Sequence, residues 1–114
     1  VDPMPPAPAQ EVLRGTLDLL ILRTLALAPE HGWGIAQRIE QQSNEALQIG
    51  QGSLYPALQR LENKGWIDSD WETTDQNRRA KYYRLTTSGR RALQAETDSW
   101  RRYVQAVELI LANG

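Results

Sequence analysis

The sequence predicts a mainly α-helical fold that carries one two-stranded β-hairpin. Three observations predict this class. Apolar residues recur with a helical period across residues 11–64, the period shortens to two across residues 66–86, and the helical period returns from residue 87 to about residue 112. We therefore expect three helices, then the hairpin, then a last helix.

The composition is that of one small domain. The chain has 114 residues, of which 40% are hydrophobic, so a second independent core is not expected. No apolar run approaches the roughly 18 to 20 residues that span a bilayer, and residues 1–10 lack the pattern of a signal peptide. We therefore expect a cytoplasmic protein without membrane contact.

Residue types that carry catalysis or bind metals are scarce. The chain has no cysteine, which excludes disulfides and thiolate zinc sites, and His31 is its single histidine. A glycine-rich phosphate loop and a nucleophile elbow are both absent. We predict a protein that is not an enzyme and holds no metal or cofactor, with His31 in a structural role.

Basic residues concentrate in one stretch, although the formal net charge is only −1. Local charge matters more than the sum when a protein binds a polyanion. Taken alone, the stretch fits either a solvated face or a binding surface. Between Gln76 and Arg91 there are six basic residues and no acidic one: Arg78, Arg79, Lys81, Arg84, Arg90 and Arg91.

The first two helices are predicted between residues 11 and 44. Residues 1–10 hold four of the six prolines and should be flexible. The first helix should begin at Glu11 and end at Pro29, with a second apolar side that contacts another subunit. The second should end near Ser43. Their apolar residues are Leu13, Leu17, Leu20, Ile21, Thr24 and Ala28, then Leu19, Leu22 and Leu25, and in the second helix Trp33, Ile35, Ala36 and Ile39.

The third helix is predicted from Gln51 to Lys64. Gly50, Gly52 and Pro56 should lie near its start, where free N–H groups are ready to meet an anion. On periodicity alone an ordinary surface helix explains the segment better than a binding surface does. Leu54, Leu58 and Leu61 form its apolar stripe, and the opposite side carries Pro56, Gln59 and Asn63, flanked by Tyr55 and Arg60.

The hairpin and the last helix complete the prediction. The hairpin tip should be Gln76 to Arg79, and Thr86 or Thr87 should cap the last helix. Roughly 25 residues make a rod of nearly 40 Å, which this small domain cannot cover alone, so homodimerisation is expected. Leu93, Trp100 and Val107 are spaced by seven, and the same stripe includes Tyr103, Val104, Ile110 and Leu111.

Two short helices separated by a turn, the second with a polar outer face, match a helix-turn-helix, whose second helix enters the DNA major groove. With the hairpin as a wing, the whole is a winged helix-turn-helix plus N-terminal and long C-terminal helices. We divide the chain into a flexible segment (1–10), a DNA-binding domain (11–86) and a C-terminal dimerisation helix (87–114).

Four segments of the sequence resemble the PadR family of bacterial transcriptional regulators. The match covers nearly everything from Glu11 to Leu93 and looks like the short branch of the family, which has a single C-terminal helix. The segments are GTLDLLILRTL in the first helix, HGWGIAQRIE in the second, GSLYPALQRLENKGWI through the third, and RAKYYRLTTSGRRAL from the wing into the last helix.

The resemblance implies a homodimeric repressor that reads a pseudo-palindromic site in double-stranded DNA. Ser53 and Tyr55 are expected at phosphates, whereas Gln59, Arg60 or Asn63 should reach base edges. Acidic side chains of the first wing strand should face away from DNA. The implied DNA-binding residues are Gln51, Ser53, Tyr55, Pro56, Gln59, Arg60 and Asn63 in the third helix, and Arg78, Arg79 and Lys81 in the wing.

The last helix has two interpretations. Some relatives in the short branch bind flat aromatic compounds between tryptophans of paired C-terminal helices, and Trp100 stands at a matching place. The dimer core is the simpler role for Trp100, and a planar aromatic effector is the alternative. Trp33, Trp66 and Trp71 are expected in the core and at the wing base. The dimerisation or effector residues are Leu93, Trp100, Tyr103, Val104, Val107 and Leu111.

A second hypothesis concerns the whole chain. The winged helix could serve only as a scaffold for a small-molecule sensor or a protein-interaction module, without operator reading. Trp100 and the near-neutral net charge motivate this alternative.

Overall fold

The computed structural model describes residues 10–11 and 15–113. Its helices and hairpin confirm the predicted class, a mainly helical fold with a β wing. In chain order the elements are β1 (Gln10–Glu11), α1 (Leu17–Leu27), β2 (Glu30–His31), α2 (Gly32–Gln42), β3 (Leu47–Gln48), α3 (Gln51–Asn63), β4 (Ile67–Thr73), β5 (Arg79–Leu85) and α4 (Thr87–Ala112).

The start of the chain differs from the prediction. Gln10 and Glu11 form β1, which pairs in parallel with β3, so the first helix does not begin at Glu11. α1 starts only at Leu17, because the chain turns at Gly15 with a φ of 97°, which a right-handed helix cannot contain. Residues 1–9, most of the segment that was expected to be flexible, lie outside the described residues. Residues 12–14, which include Leu13, also lie outside them.

The core lies where the first three helices meet the sheet. Both apolar sides of α1 are buried in it: Ile21 and Thr24 belong to one side, and Leu22 and Leu25 to the other. The second side of α1 therefore packs mostly within its own chain and does not need another subunit, except at the partly exposed Leu19. The other core residues are Leu17, Ile35, Ala36, Ile39, Ile49, Leu54, Ala57, Leu58, Leu61, Ile67, Tyr83 and Ala92.

The wing is a regular antiparallel hairpin. β4 pairs with β5 from Ile67 opposite Leu85 to Thr73 opposite Arg79, which confirms the predicted alternation of faces. β2 adds a third strand on the other edge of β5 and ties the connection between α1 and α2 to the wing. No pattern predicted β2, because two residues are too few to show a period.

α4 behaves as predicted at its start. Thr86 is the N-cap, and its Oγ1 accepts a hydrogen bond of 2.9 Å from the N–H of Gly89. Near this end Ala92 is buried and Leu93 packs against the core. The far end leaves the domain, and Leu109, Ile110 and Leu111 there are 66%, 72% and 67% exposed.

The position of Pro56 within α3 differs from the prediction, which placed it near the start of the helix. The helix begins at Gln51, so Pro56 is its sixth residue and lies inside it, beyond the first turn. Proline has no N–H to donate to the carbonyl of Gly52, four residues earlier. Gly52 is exposed, so water can reach that carbonyl.

Candidate nucleic-acid interface

The outward side of α3 is a polar surface. Its inward side buries Leu54, Ala57, Leu58 and Leu61, which holds the helix in one orientation on the domain. Gln59 and Asn63 lie together on the exposed side, where Gln59 Nε2 donates a 3.0 Å hydrogen bond to Asn63 Oδ1. This bond fixes two amide side chains side by side, and an amide can both donate to and accept from a base edge.

The start of α3 offers backbone N–H groups. Gly50 is the N-cap, and because it has no side chain it makes no side-chain cap. The N–H groups of Ser53 and Leu54 both donate to the Gly50 carbonyl, at 3.1 and 3.0 Å, so the N–H groups that a ligand could use are those of Gln51 and Gly52 before them. Gln51 and Ser53 are exposed beside this end. An uncapped helix start of this kind is suited to a phosphate.

Arg60 lies on the flank of α3 that faces α1. Its Nη2 is 2.6 Å from Oδ1 of Asp18 in the first turn of α1, and the arginine side chain is half exposed. The guanidinium is therefore already paired with a carboxylate of its own chain. Asp18 was not among the predicted site residues, since the two positions are far apart in the sequence.

Tyr55 lies on the opposite flank of α3. Its side chain is half exposed, and its ring packs over Gly32 at the start of α2 so closely that a methyl group there would come within 3.1 to 3.3 Å of the ring and hydroxyl. The contact fixes the phenol at the junction of α2, α3 and the wing. Tyr55 is thus rigidly placed beside the polar side of α3.

The two faces of the wing carry opposite charge. The inner face presents Trp71, Thr73, Arg79 and Lys81 in paired register. Arg79 lies over the Trp71 ring at 5.5 Å from its centroid, and Lys81 Nζ is 3.6 Å from Glu62 of α3. Arg78 is exposed in the turn at the tip. Arg79 and Lys81 are therefore on the side of the hairpin that faces α3.

The acidic residues of β4 lie on the outer face, where they pair with Arg84. The guanidinium is 3.7 Å from Asp68, 2.6 Å from Asp70 and 3.5 Å from Glu72. The hydrogen bond to Asp70 is the main cause of a raised pKa of Arg84, and the carboxylates add to it. Arg84 thus offsets part of the negative charge of these three carboxylates. Because Arg84 lies on the outer face, it adds no positive charge to the inner face.

The prediction for the tryptophans was correct for one and wrong for two. Trp66 is partly buried against the core. Trp33 and Trp71 are 58% and 60% exposed. We expected Trp33 on the apolar side of α2, but Gly32, Gly34 and Ile35 of the first turn are buried, and Trp33 is exposed on the same side as Gln37, four residues later. Trp71 sits on the inner face of the wing past the last buried residue of β4.

These two tryptophans belong to one open depression, which we call the aromatic cleft. It has a volume of about 420 Å³ and lies between the start of α2, the first half of α3 and the inner face of the wing. Tyr83 at its floor is buried, and burial raises the pKa of its phenol, with the charge of Glu62 adding to the effect. The cleft is lined by His31, Gly32, Trp33, Tyr55, Trp71, Ala80, Lys81 and Tyr83.

His31 has the structural role that was expected. It is the N-cap of α2, and its Nδ1 accepts a 3.0 Å hydrogen bond from the N–H of Gly34. Its ring also meets Tyr82 edge-on at 5.3 Å. Among residues 10–11 and 15–113, no group of three or more His, Cys, Asp or Glu side chains is arranged to hold a metal ion. No helix in the same residues is both long and apolar enough to cross a membrane.

The predicted dimerisation or effector residues separate into two groups. Leu93 packs on its own core, whereas Trp100 and Tyr103 form a tilted ring pair at 6.2 Å and face the start of α1. With Gly15, Thr16, Leu19, Glu96 and Ser99 they line a depression of about 290 Å³. Val104 and Val107 are partly buried and Leu111 is exposed further along α4.

The structure thus brings most of the predicted interface together. Seven of the ten implied residues, from Gln51 to Asn63, lie on or beside the exposed side of α3, and Arg79 and Lys81 face them from the wing. Sequence reasoning missed Trp33, Trp71 and Asp18. The available signal for Trp33 was its spacing of four from the polar Gln37, which places the two side chains on one side of α2.

Known proteins are similar to this chain in both sequence and fold. A family model described as "Transcriptional regulator PadR-like family" matches residues 21–95. A transcriptional regulator of Mycobacterium tuberculosis is 34% identical over 84 residues, which are 74% of this chain and 75% of that protein.

Two solved structures of PadR family regulators are similar along most of the chain. One from Clostridium difficile is 29% identical, with a TM-score of 0.73 over 85% of this chain and 99% of that one. One from Eggerthella lenta is 30% identical, with a TM-score of 0.74 over 89% of this chain and 86% of that one. The match of the family model, the winged-helix fold and the shared sequence together show that this chain belongs to the PadR-like family of transcriptional regulators, whose members are not enzymes.

Proposed function

We propose that this regulator is a homodimeric repressor that acts in the cytoplasm, at the nucleoid, by binding a pseudo-palindromic operator in double-stranded DNA. The observation that carries the proposal is the common orientation of two surfaces: the exposed polar side of α3 and the basic inner face of the wing lie on either side of the aromatic cleft. A helix of this kind fits a major groove, and a basic hairpin beside it reaches the neighbouring minor groove.

Different residues serve affinity and specificity in this proposal. Ser53, Tyr55 and the uncapped start of α3 hold phosphates, and Arg78, Arg79 and Lys81 add charge at the wing. Gln59 and Asn63, held together by their hydrogen bond, read base edges. Pro56 and Gln51 lie beside them and shape the surface that enters the groove. Arg60 contributes only when it leaves Asp18.

Binding of the chain's own promoter fragment, measured by fluorescence anisotropy over a range of salt concentrations, tests the proposal. Arg78→Ala combined with Arg79→Ala should weaken binding to all DNA about equally, and Gln59→Ala should change the preferred sequence. Arg101→Ala combined with Arg102→Ala removes the same charge from the exposed surface of α4 and serves as the matched control. No binding to any promoter DNA at low salt would refute the proposal.

The second copy is proposed to pair along α4. This helix has 26 residues, and its far end exposes Leu109, Ile110 and Leu111, which are large apolar side chains that a monomer would leave in water. Val104 and Val107 continue the same stripe toward the domain. Two α3 helices related by the dimer axis would read half-sites about one helical turn apart.

A planar aromatic effector is the second candidate function, favoured by the depression next to Trp100. Its volume of about 290 Å³ and its two aromatic side chains suit a flat ligand of modest size. Planar aromatic compounds should quench part of the tryptophan emission, and Trp100→Ala should abolish that part. Saturation that leaves operator affinity unchanged would indicate a sensor independent of DNA binding, and the absence of quenching would refute an effector at this place.

A further inference from the structure

The aromatic cleft is a large exposed aromatic surface that neither core packing nor the proposed reading of bases explains. Trp33 and Trp71 expose more than half of their surface to solvent. Tyr55 packs on Gly32 between them, and Lys81 forms the rim toward the wing. Four side chains from four elements, α2, α3, β4 and β5, therefore converge on one depression of about 420 Å³.

The position of the cleft is set by the elements around it. On one side is the polar side of α3, and on the other is the inner face of β4 and β5. In duplex DNA a major and a minor groove are separated by the sugar–phosphate chain of one strand. If α3 occupies the major groove and the wing occupies the next minor groove, that chain must pass over the surface between them.

We propose that the aromatic cleft is the seat of this sugar–phosphate chain, with Trp33 and Trp71 as its two walls. The inference rests on the proposed DNA binding and adds a site to it. The indole N–H groups of the two tryptophans donate to phosphate oxygens, the ring faces cover the apolar deoxyribose, and Lys81 supplies positive charge at the rim.

The charges around the cleft suit a polyanion. The guanidinium carbon of Arg79 lies over the ring of Trp71, 5.5 Å from the ring centroid. The carboxylates nearby are already paired: Glu62 with Lys81 at 3.6 Å and with the hydroxyl of Ser69 at 2.8 Å, and Glu30 with Arg38 at 2.9 Å. Since Glu62 holds Lys81 only at this longer distance, a phosphate can compete for the ammonium group.

The test compares Trp33→Ala, Trp71→Ala and the double variant with Leu27→Ala, which removes an exposed apolar side chain at the end of α1. Thermal unfolding of each variant checks that the domain is folded. The double variant should bind its operator and an unrelated duplex about tenfold more weakly, by the same factor, because backbone contacts carry no sequence information. Leu27→Ala should bind like the original protein.

A second measurement changes the DNA as well as the protein. Methylphosphonate linkages, which are uncharged, are placed in the strand between the major groove of a half-site and the adjacent minor groove. They should weaken binding of the original protein, and they should weaken binding of Trp33→Phe, which keeps a ring and loses the N–H donor, by a smaller factor because that donor is already missing.

The outcomes distinguish this inference from the proposed function. If the original protein binds no DNA, the proposed function fails. If it binds DNA and the double variant binds equally well, only the seat in the cleft is overturned. A change in sequence preference in the double variant would instead indicate contact with bases. Tighter binding of single strands than of duplex, lost in the double variant, would make the cleft a platform for stacked bases and would also overturn the inference.

Discussion

Arg60 of α3 and Asp18 of α1 are joined by a hydrogen-bonded ion pair of 2.6 Å although they are 42 residues apart. The pair joins the flank of α3 to the first turn of α1. It also gives the guanidinium a partner that a phosphate or a guanine edge would have to displace. The same first turn lies beside the depression that Trp100 and Tyr103 line, so the pair is where the two proposed sites approach each other.

Removing the carboxylate should release the arginine. We expect Asp18→Asn to raise DNA affinity about three- to tenfold at low salt, because one negative charge is lost next to the proposed interface and Arg60 becomes free. Stability should fall by less than about 1 kcal/mol, since the arginine is half exposed and its pair is screened by solvent. Binding at several salt concentrations measures both the affinity and the number of charges involved.

Asp98→Asn is the matched control for this prediction. It removes the same charge from an exposed position on α4, where Asp98 accepts a hydrogen bond from Gln94. An equal rise in affinity in both variants would show that net charge alone is responsible, and would contradict a specific role of the Asp18–Arg60 pair.

A substitution on the outer face of the wing should lower DNA affinity, whereas Asp18→Asn should raise it. Arg84→Gln leaves Asp68, Asp70 and Glu72 without their shared cation, so the wing gains a strip of uncompensated negative charge. DNA affinity should fall at low salt, although Arg84 itself does not face α3. The loss should shrink as salt rises, because charges at this distance are screened. Arg102→Gln, also an exposed arginine, should have the smaller effect; equal effects would argue against the strip.

Much of this arrangement was predictable from periodicity, and the exceptions have physical causes. Leu54, Leu58 and Leu61 specified the buried side of α3, and the alternation in β4 and β5 placed the acidic residues on the outer face. Trp33 was misplaced because it lies between the two sides of the α2 pattern, three residues before the buried Ala36 and four before the exposed Gln37. The Asp18–Arg60 pair and the pairing of β2 with β5 arise from contacts between distant segments, which leave no local pattern.

The buried phenol of Tyr83 predicts alkaline sensitivity. Burial raises the pKa of Tyr83 above its ordinary value of 10.0, so the folded state keeps the proton at a pH where the unfolded state has lost it. The stabilisation is complete below about pH 10 and is lost as the pH rises through the raised pKa. The free energy of unfolding in urea should therefore fall as the pH rises above about 10.

Tyr83→Phe should flatten this decline, because the variant has no phenol at that position to ionise. Tyr103→Phe, at a position 64% exposed on α4, is the control and should retain the decline. A Tyr83→Phe profile as steep as that of the original protein would assign the alkaline sensitivity to other groups.

The junction between the wing and α4 depends on the absence of a side chain at residue 89. A methyl group at Gly89 would overlap the backbone carbonyl of Trp66 and come within 2.7 Å of Leu85. Gly89→Ala should therefore destabilise the domain by about 2 kcal/mol or more, because backbone must move to make room. Thermal or urea unfolding measures this loss.

Gly52→Ala is the natural comparison, since a methyl group there meets nothing within 4 Å. Alanine favours a helix over glycine, so this variant should be as stable as the original or gain up to about 1 kcal/mol. Similar losses in both variants would show that the helices tolerate alanine poorly in general and that the contact at Trp66 is not the cause.

A substitution at the exposed end of α4 is the most direct test of the proposed dimer. Ile110 is 72% exposed, and its neighbours Leu109 and Leu111 are nearly as exposed, so a partner helix should cover them. Ile110→Glu would place a charge in that contact, and we expect sedimentation equilibrium to give a monomer where the original protein gives a dimer. Gln105→Glu adds the same charge at an exposed polar position and should leave the dimer intact if residue 105 faces away from the partner. Since two half-sites must be held together for tight binding, the Ile110→Glu monomer should also bind a full operator hardly better than a half-site. A dimer that survives Ile110→Glu would move the subunit contact elsewhere on the chain.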